Sequence, residues 1–414
     1  MKRDVVALVI GYNKIDFVNQ IAFEQLCKLQ SGGVIDRIVY VTWDSARLDG
    51  LLEPIKHFSG VELVRIPEPE LGGAPLEKSI VYQIRNLQTA LNLVEDDNAL
   101  VLKTRTDFLF LNENFLKQKI LGFDNFCARS SLAKRLPFDV PAPAFRRKVW
   151  IPWANATEPL YCSDEAFMGL KGDIAKLADN GAERFLAMLR DERTDRISHT
   201  ARFLNLFLAD YPILQRFYEN FHIFISTLDY RAEFAPLCGR HPFFWRLAVL
   251  NAWLLETHFH VDGGHNADMA FCSNRANQQE VKTIDDVNFQ PPLTNIDKWR
   301  SNMRPGSLLK SCTYSISYLA DDDWQHALLT SRKLADFKHN DICTMLEQAI
   351  RYDRAEIGAM EDAFYADAEA LYRKYVTENP PVVSDEGILE HRSRSSKALK
   401  AALPPTEAQQ AKCA

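Results

Sequence analysis

The feature that most constrains this 414-residue chain is a regular alternation, within its first 111 residues, between short apolar runs and segments of helical period. Residues 5–10 are wholly apolar and rich in β-branched side chains, as a parallel strand covered on both faces requires. Residues 15–29 place Ile15, Val18, Ile21, Ala22, Leu26 and Leu29 at helical spacing, and Gly32 and Gly33 close that helix. Further strands are expected at 37–42, 61–66 and 99–103, with helices at 48–58 and 77–94 and a breaker-rich loop at 67–73. Four strands separated by helices over so short a span fit βαβ units. An α/β fold with a largely parallel sheet and right-handed crossovers is therefore expected.

With 47% hydrophobic and 25% charged residues, the chain has the make-up of a compact globular protein rather than a disordered or collagen-like one. Forty-nine Lys and Arg against 55 Asp and Glu leave a net charge of -6, which offers no electrostatic footprint for a nucleic-acid partner. No run reaches the roughly 18 apolar residues of a membrane span; the best, 243–255, is broken by Arg246 and Asn251. The first ten residues resemble a signal peptide, but Gly11-Tyr12-Asn13-Lys14 stands where a small-residue cleavage site belongs. A first strand is the better reading. Eight cysteines without a CxxC spacing indicate neither a zinc site nor a disulfide scaffold, so reduced thiols in a cytoplasm are expected.

Beyond residue 111 the pattern loosens. A short helix is expected at 115–120, strand material at 149–153 and 161–170, and helices through the aromatic-rich 183–255. A strand is expected at 258–261, and helices again from 321 to 378. The organisation reads as a core over 1–180, a helical and aromatic region over 181–318 that returns to it, a helical region over 319–390, and a tail over 391–414. That tail sets Arg392, Arg394, Lys397, Lys400 and Lys412 against the single Glu407, and suits a solvated terminus or a peripheral contact with the inner face of a membrane.

Ligands of parallel sheets bind at the carboxyl ends of the strands. The segments there are Gly11-Tyr12-Asn13, Trp43-Asp44-Ser45, the loop at 67–73 and Thr104-Arg105-Thr106-Asp107. None carries G-x-G-x-x-G or a P-loop, which removes most support for dinucleotide binding and P-loop hydrolysis. The richest run is Val101-Leu102-Lys103-Thr104-Arg105-Thr106-Asp107, an apolar strand that delivers two cations and a carboxylate where their burial is costly. If the extended conformation persists, alternation puts Lys103, Arg105 and Asp107 on one side. Such a set suits a phosphate-bearing ligand: the cations neutralise phosphate oxygens, and the carboxylate holds a divalent ion or a sugar hydroxyl. A local Arg105–Asp107 ion pair is the plainer alternative.

In order and spacing these residues resemble the nucleotide-sugar-dependent glycosyltransferases of GT-A fold. Members of their largest inverting group carry a strand, a D-G-S-like turn, a helix with an R-N pair, and an apolar strand ending in D-x-D. The matching stretches are residues 5–10, Trp43-Asp44-Ser45, Arg85-Asn86, and the strand leading to Arg105-Thr106-Asp107. The likeness is closer to the WavE lipopolysaccharide-synthesis type, in which K-x-R-x-D replaces D-x-D and a helix with a Q-I pair precedes it. Lys103, Arg105, Asp107, Gln83 and Ile84 match that pattern. The likeness implies a GT-A, Rossmann-like domain with a helical C-terminal extension, and a nucleotide-sugar site that includes Gly11, Asn13, Asp44, Ser45, Gln83, Arg85, Lys103, Arg105 and Asp107. It further implies a divalent cation, Mn2+ or Mg2+, on Asp107. Arg105 stands where D-x-D has its first carboxylate, which either weakens metal binding or lets the guanidinium take over part of the diphosphate charge.

Two later motifs extend the reading. Tyr161-Cys162-Ser163-Asp164-Glu165-Ala166-Phe167-Met168-Gly169 resembles the acceptor-side segment of the same enzymes. An inverting transfer needs a carboxylate to take the acceptor's proton, and Asp164, then Glu165, are the candidates; a helix N-cap is the plainer reading. His258, His260, Asp262 and His265 cluster near Gly263-Gly264, and His265 is the candidate to complete a metal shell. Of the aromatic residues between 203 and 255, most are expected in the core. The expected activity is transfer of a sugar from a nucleotide-diphosphate donor to a surface-polysaccharide, lipopolysaccharide or lipid-linked acceptor. The competing readings are a non-catalytic glycan-assembly scaffold on a degenerate transferase domain, and a nucleotidyltransferase.

Overall fold

The computed structural model describes residues 3–11, 16–46, 60–68, 75–126, 132–152, 154, 162–179, 205–220, 223, 237, 241–261, 269–273, 288–290, 339–352 and 354–378. The expected helix at 48–58 and the basic tail lie outside them.

Strand β1 (Val5–Ile10) is followed by α1 (Asp16–Ser31), β2 (Arg37–Trp43), β3 (Val61–Ile66), α2 (Pro75–Asn92) and β4 (Leu100–Arg105). Each expected element in this stretch is present to within a few residues, apart from the undescribed helix. Then come β5 (Phe108–Phe110), α3 (Glu113–Leu121), β6 (Val149–Ile151), β7 (Ala166–Leu170) and α4 (Lys171–Ala178). Helices α5 (Asn205–Asp210), α6 (Pro212–Glu219) and α7 (Pro242–His258) precede β8 (Phe259–Val261), β9 (Met269–Ser273) and β10 (Asn288–Gln290). Helices α8 (His339–Ile350) and α9 (Arg354–Glu378) complete the described elements.

Seven strands form one sheet in the order β3-β2-β1-β4-β7-β6-β8. All neighbouring pairs are parallel except those that β7 makes with β4 and β6, so the expected α/β class with a largely parallel sheet is the one observed. The chain runs outward from β1 to β2 and β3, then returns to place β4 on the other flank of β1. That reversal creates a topological switch point between β1 and β4. A second sheet, β10-β9-β5, is antiparallel and was not legible in the sequence, because strands of three to five residues carry too little periodicity.

The alternation of β1 divides the core into two layers. Val5, Ala7 and Val9 pack with Phe23, Leu26 and Leu29 of α1 and with Leu116 and Ile120 of α3. Val6, Leu8 and Ile10 face the other way, toward Val81, Ile84 and Leu87 of α2 and the larger helical cluster. Gly169 in β7 is part of that second layer's closeness: a Cβ there would lie 2.9 Å from Ile174 and 3.1 Å from Val149.

At the centre of the helical cluster α7 is buried on nearly every side, with Phe243, Leu247, Leu250, Trp253 and Leu254 in the core. Phe217, Tyr218, Phe243 and Trp253 are core residues, as expected for most of the aromatic residues between 203 and 255. Helix α9 is tied to α6 by Arg216, whose guanidinium lies 3.2 Å from Glu361 and 4.8 Å from the centre of the Tyr365 ring.

His258 ends α7 inside this core. Its Nδ1 lies 2.9 Å from the Leu254 carbonyl and its Nε2 accepts from the Ala144 N–H at 3.1 Å, so the neutral ring with its proton on Nδ1 satisfies both contacts. Burial, with Lys148 adding to it, holds its pKa down to about 4. Unfolded, the ring titrates near 6.5, so between those values the unfolded chain binds a proton that the folded one does not. Stability is then expected to be full above pH 6.5 and to fall by about 3 kcal/mol as pH drops toward 4. Urea denaturation across that range checks it. His258→Gln should flatten the slope, and an unchanged slope would show that another group carries it.

Candidate functional site

The cluster at the switch point follows from strand register. In the parallel β1–β4 pair Leu8 lies opposite Lys103 and Ile10 opposite Arg105. In the antiparallel β4–β7 pair Lys103 lies opposite Phe167 and Thr104 opposite Ala166. The residues that enter β7, Ser163 to Glu165, therefore sit beside the carboxyl end of β4. Lys103 and Arg105 share the face of Val101, which packs against α2, so the apolar face of β4 turns cationic as it reaches the edge. The strand stops at Arg105, and Thr106–Asp107 form a turn. Asp107 thus meets Arg105 by the chain folding back, not by the strand alternation expected from sequence.

Arg105 is the hub. Its Nε donates to Asp107 Oδ1 at 2.8 Å and its NH2 to Asp107 Oδ2 at 2.7 Å, while NH1 donates to Asp164 Oδ2 at 3.2 Å. Gln83 of α2 donates to the same Asp164 oxygen at 3.1 Å. The side chains of Arg105, Asp107 and Asp164 are 16%, 6% and 12% exposed, so the ion pairs are screened far less than surface pairs. Burial works against the Arg105 charge, but Asp107 and then Asp164 outweigh it and hold the guanidinium above its ordinary value.

Lys103 lies beneath this layer, fully buried, with Nζ donating to the Asp164 and Glu165 carbonyls and 5.0 Å from the centre of the Phe167 ring. Burial draws its pKa down to about 7 against the raising effect of Asp164. Glu165 accepts from the Ser163 hydroxyl at 2.7 Å, and burial first, then the Asp164 charge, push its carboxyl above the ordinary value. Of the two candidate bases, Asp164 is the one bound into the Arg105 cluster.

Gly11 ends β1 beside this cluster with φ at 116°, a conformation that disfavours side chains. Its carbonyl accepts from the Tyr40 hydroxyl at 3.2 Å. At the ends of β2 and β3, Asp44 and Ser45 are exposed. The Ser45 hydroxyl bonds Glu68, and Arg65 bonds the Asp44 carbonyl. Tyr82 of α2 packs on Trp43 with ring centres 5.0 Å apart. Arg65 and Tyr82 were not singled out from sequence, whereas Trp43 and Glu68 fell within the strand-end segments at 43–45 and 67–73; the signal available for Arg65 was its place at the end of a strand just before that loop. Arg85 is exposed on α2. Two residues from Gln83, it points about 200° away around the helix, so the structure does not bring it into the Asp164 cluster. Asn13 and His265 lie outside the described residues. His258 has both ring nitrogens engaged in the core, and His260 stacks on Phe126 with ring centres 4.1 Å apart.

The residues described do not fit a divalent ion. Among them no three His, Cys, Asp or Glu side chains group to hold one. Both Asp107 oxygens already face one guanidinium. An ion bound to that carboxylate would sit about 5 Å from the guanidinium, where charges of +2 and +1 repel by about 7 kcal/mol at an effective dielectric of about 20. No helix among the described residues is long and apolar enough to cross a membrane.

No protein-family model matches the chain, and no curated protein does. Solved structures similar to it include the mannosyltransferase PcManGT from Pyrobaculum calidifontis in complex with GDP-Man and Mn2+, at 15% identity and a TM-score of 0.29, covering 62% of this chain and 73% of that one. Another is 4-diphosphocytidyl-2C-methyl-D-erythritol synthase from Anaerococcus prevotii DSM 20548, at 13% identity and a TM-score of 0.28, covering 50% and 84%. A third is mannose-6-phosphate isomerase from Helicobacter pylori, at 13% identity and a TM-score of 0.26, covering 45% and 80%. Likenesses at this level carry no argument about fold or function.

Proposed function

We propose that the chain is a glycosyltransferase that moves a sugar from a nucleotide-diphosphate donor to the hydroxyl of a glycan or lipid-linked acceptor. The observation that supports this reading most strongly is the meeting of Arg105, Asp107 and Asp164 at the switch point between β1 and β4, where open α/β sheets bind ligands. The ordered likeness of residues 5–107 to the glycosyltransferase motifs supplies the donor class.

In this reading the nucleoside lies over the ends of β2 and β3, near Asp44 and Ser45, and the diphosphate lies at Arg105. The acceptor oxygen attacks the anomeric carbon and forms the new C–O bond. The bond from that carbon to the diphosphate breaks, with its electron pair leaving on the phosphate oxygen. Asp164 takes the acceptor's proton, and Arg105 stabilises the charge that develops on the departing diphosphate. Lys103 acts from below, holding the turn that presents Asp164 through its two carbonyls. Residues 1–180 and the returning strands form the donor side, and the helices between 205 and 378 shape the acceptor side.

A melting-temperature screen of nucleotides and nucleotide sugars tests the donor class, since a ligand that binds only the folded state raises the melting temperature with its affinity. A shift with nucleoside diphosphates and their sugars, larger than with monophosphates, is the expected result. No shift with any of them would overturn the proposal.

A further inference from the structure

The identity of the cation that meets the diphosphate presupposes the nucleotide-sugar reading above. We infer that the donor diphosphate is bound without a divalent cation, the Arg105 guanidinium being the resident positive charge and Asp107 its positioning residue.

Three observations carry this. First, the guanidinium sits at the carboxyl end of β4, opposite Ile10 and next to the Gly11 turn, where the strand-end geometry brings a ligand. Second, contacts at Nε, NH1 and NH2 fix its plane from two sides, through Asp107 and Asp164. A planar guanidinium held in one orientation matches phosphate oxygens with little further ordering. Third, the carboxylate that a metal would need is turned toward that guanidinium through both of its oxygens. Asp107 thereby serves the arginine.

The two roles of Asp107 make different predictions. As a metal ligand it strengthens diphosphate binding, and Asp107→Asn would abolish binding in manganese. As a positioning carboxylate it only aligns the guanidinium, so Asp107→Asn should weaken binding by the same factor with and without manganese. Asp164 still pairs with Arg105 in that variant, which keeps the guanidinium compensated.

The test is calorimetric titration of the full chain with UDP, GDP, ADP, CDP and TDP, in EDTA and in manganese chloride. For the wild type, affinity for the preferred nucleotide should agree within about threefold between the two buffers, and whatever affinity Asp107→Asn loses should be lost by the same factor in EDTA and in manganese. Wild-type binding that falls tenfold or more in EDTA, or a loss in folded Asp107→Asn that appears in manganese and not in EDTA, would overturn the inference while leaving the donor reading intact. Absence of binding in both buffers would instead overturn the nucleotide-sugar reading, and this inference with it.

Discussion

Replacing Arg105 with methionine is expected to cost the fold about 3–5 kcal/mol at pH 7, because it leaves two largely buried carboxylates without their cation. Asp107 and Asp164 each meet Arg105 directly, and their side chains are 6% and 12% exposed. Methionine fills similar volume, so the loss measures charge rather than packing. The sign of the pH dependence is fixed. Uncompensated burial raises the folded-state pKa of both carboxylates in the variant, so the penalty is present where they are ionised and fades as they protonate at lower pH. Urea denaturation of both proteins at pH 7 and pH 4 checks this. A penalty below about 1 kcal/mol at pH 7, the range of exposed pairs, would show that the cluster is solvated and not a unit.

Asp164→Asn should lower sugar transfer by about 10²–10⁴-fold, the usual contribution of a positioned general base. The amide oxygen can still accept from Arg105 and Gln83, so the expected stability loss is about 1–2 kcal/mol. Donor affinity should stay close to that of the wild type. The measurement is the rate of nucleoside diphosphate release from a bound donor, alongside the melting curve and the donor titration. A variant that keeps its turnover would assign the base elsewhere, with Glu165 next in reach. Glu165 has a carboxyl pushed up by burial and bonded to Ser163.

The strands of the parallel half were legible because burial on both faces writes a continuous apolar run, as in residues 5–10, and the helices because they bury one face. Short-range alternation also put Lys103 and Arg105 on one side of β4. What sequence could not show was depth: Lys103 lies under the site with its amine on two carbonyls, and Arg105 lies in it. Nor could local pattern reveal that Asp164, 59 residues after Arg105, returns to it, since that depends on β7 pairing antiparallel with β4. Arg85 shows the converse limit. A motif match names a residue, but helical geometry turned it away from Gln83's partner. Spacing along the chain likewise says nothing about His258 ending a core helix with both ring nitrogens engaged; His265, the metal candidate of that cluster, lies outside the described residues.

On this reading the carboxyl ends of β1 and β4, together with the amino end of β7, are a nucleotide site. Hydrogen exchange of the full chain with and without saturating nucleoside diphosphate tests it most directly. Slowed exchange is expected at residues 10–11, 41–46, 103–107 and 162–166, with little change across α7 and α9. Protection confined to the helical region, with the strand ends unchanged, would contradict it.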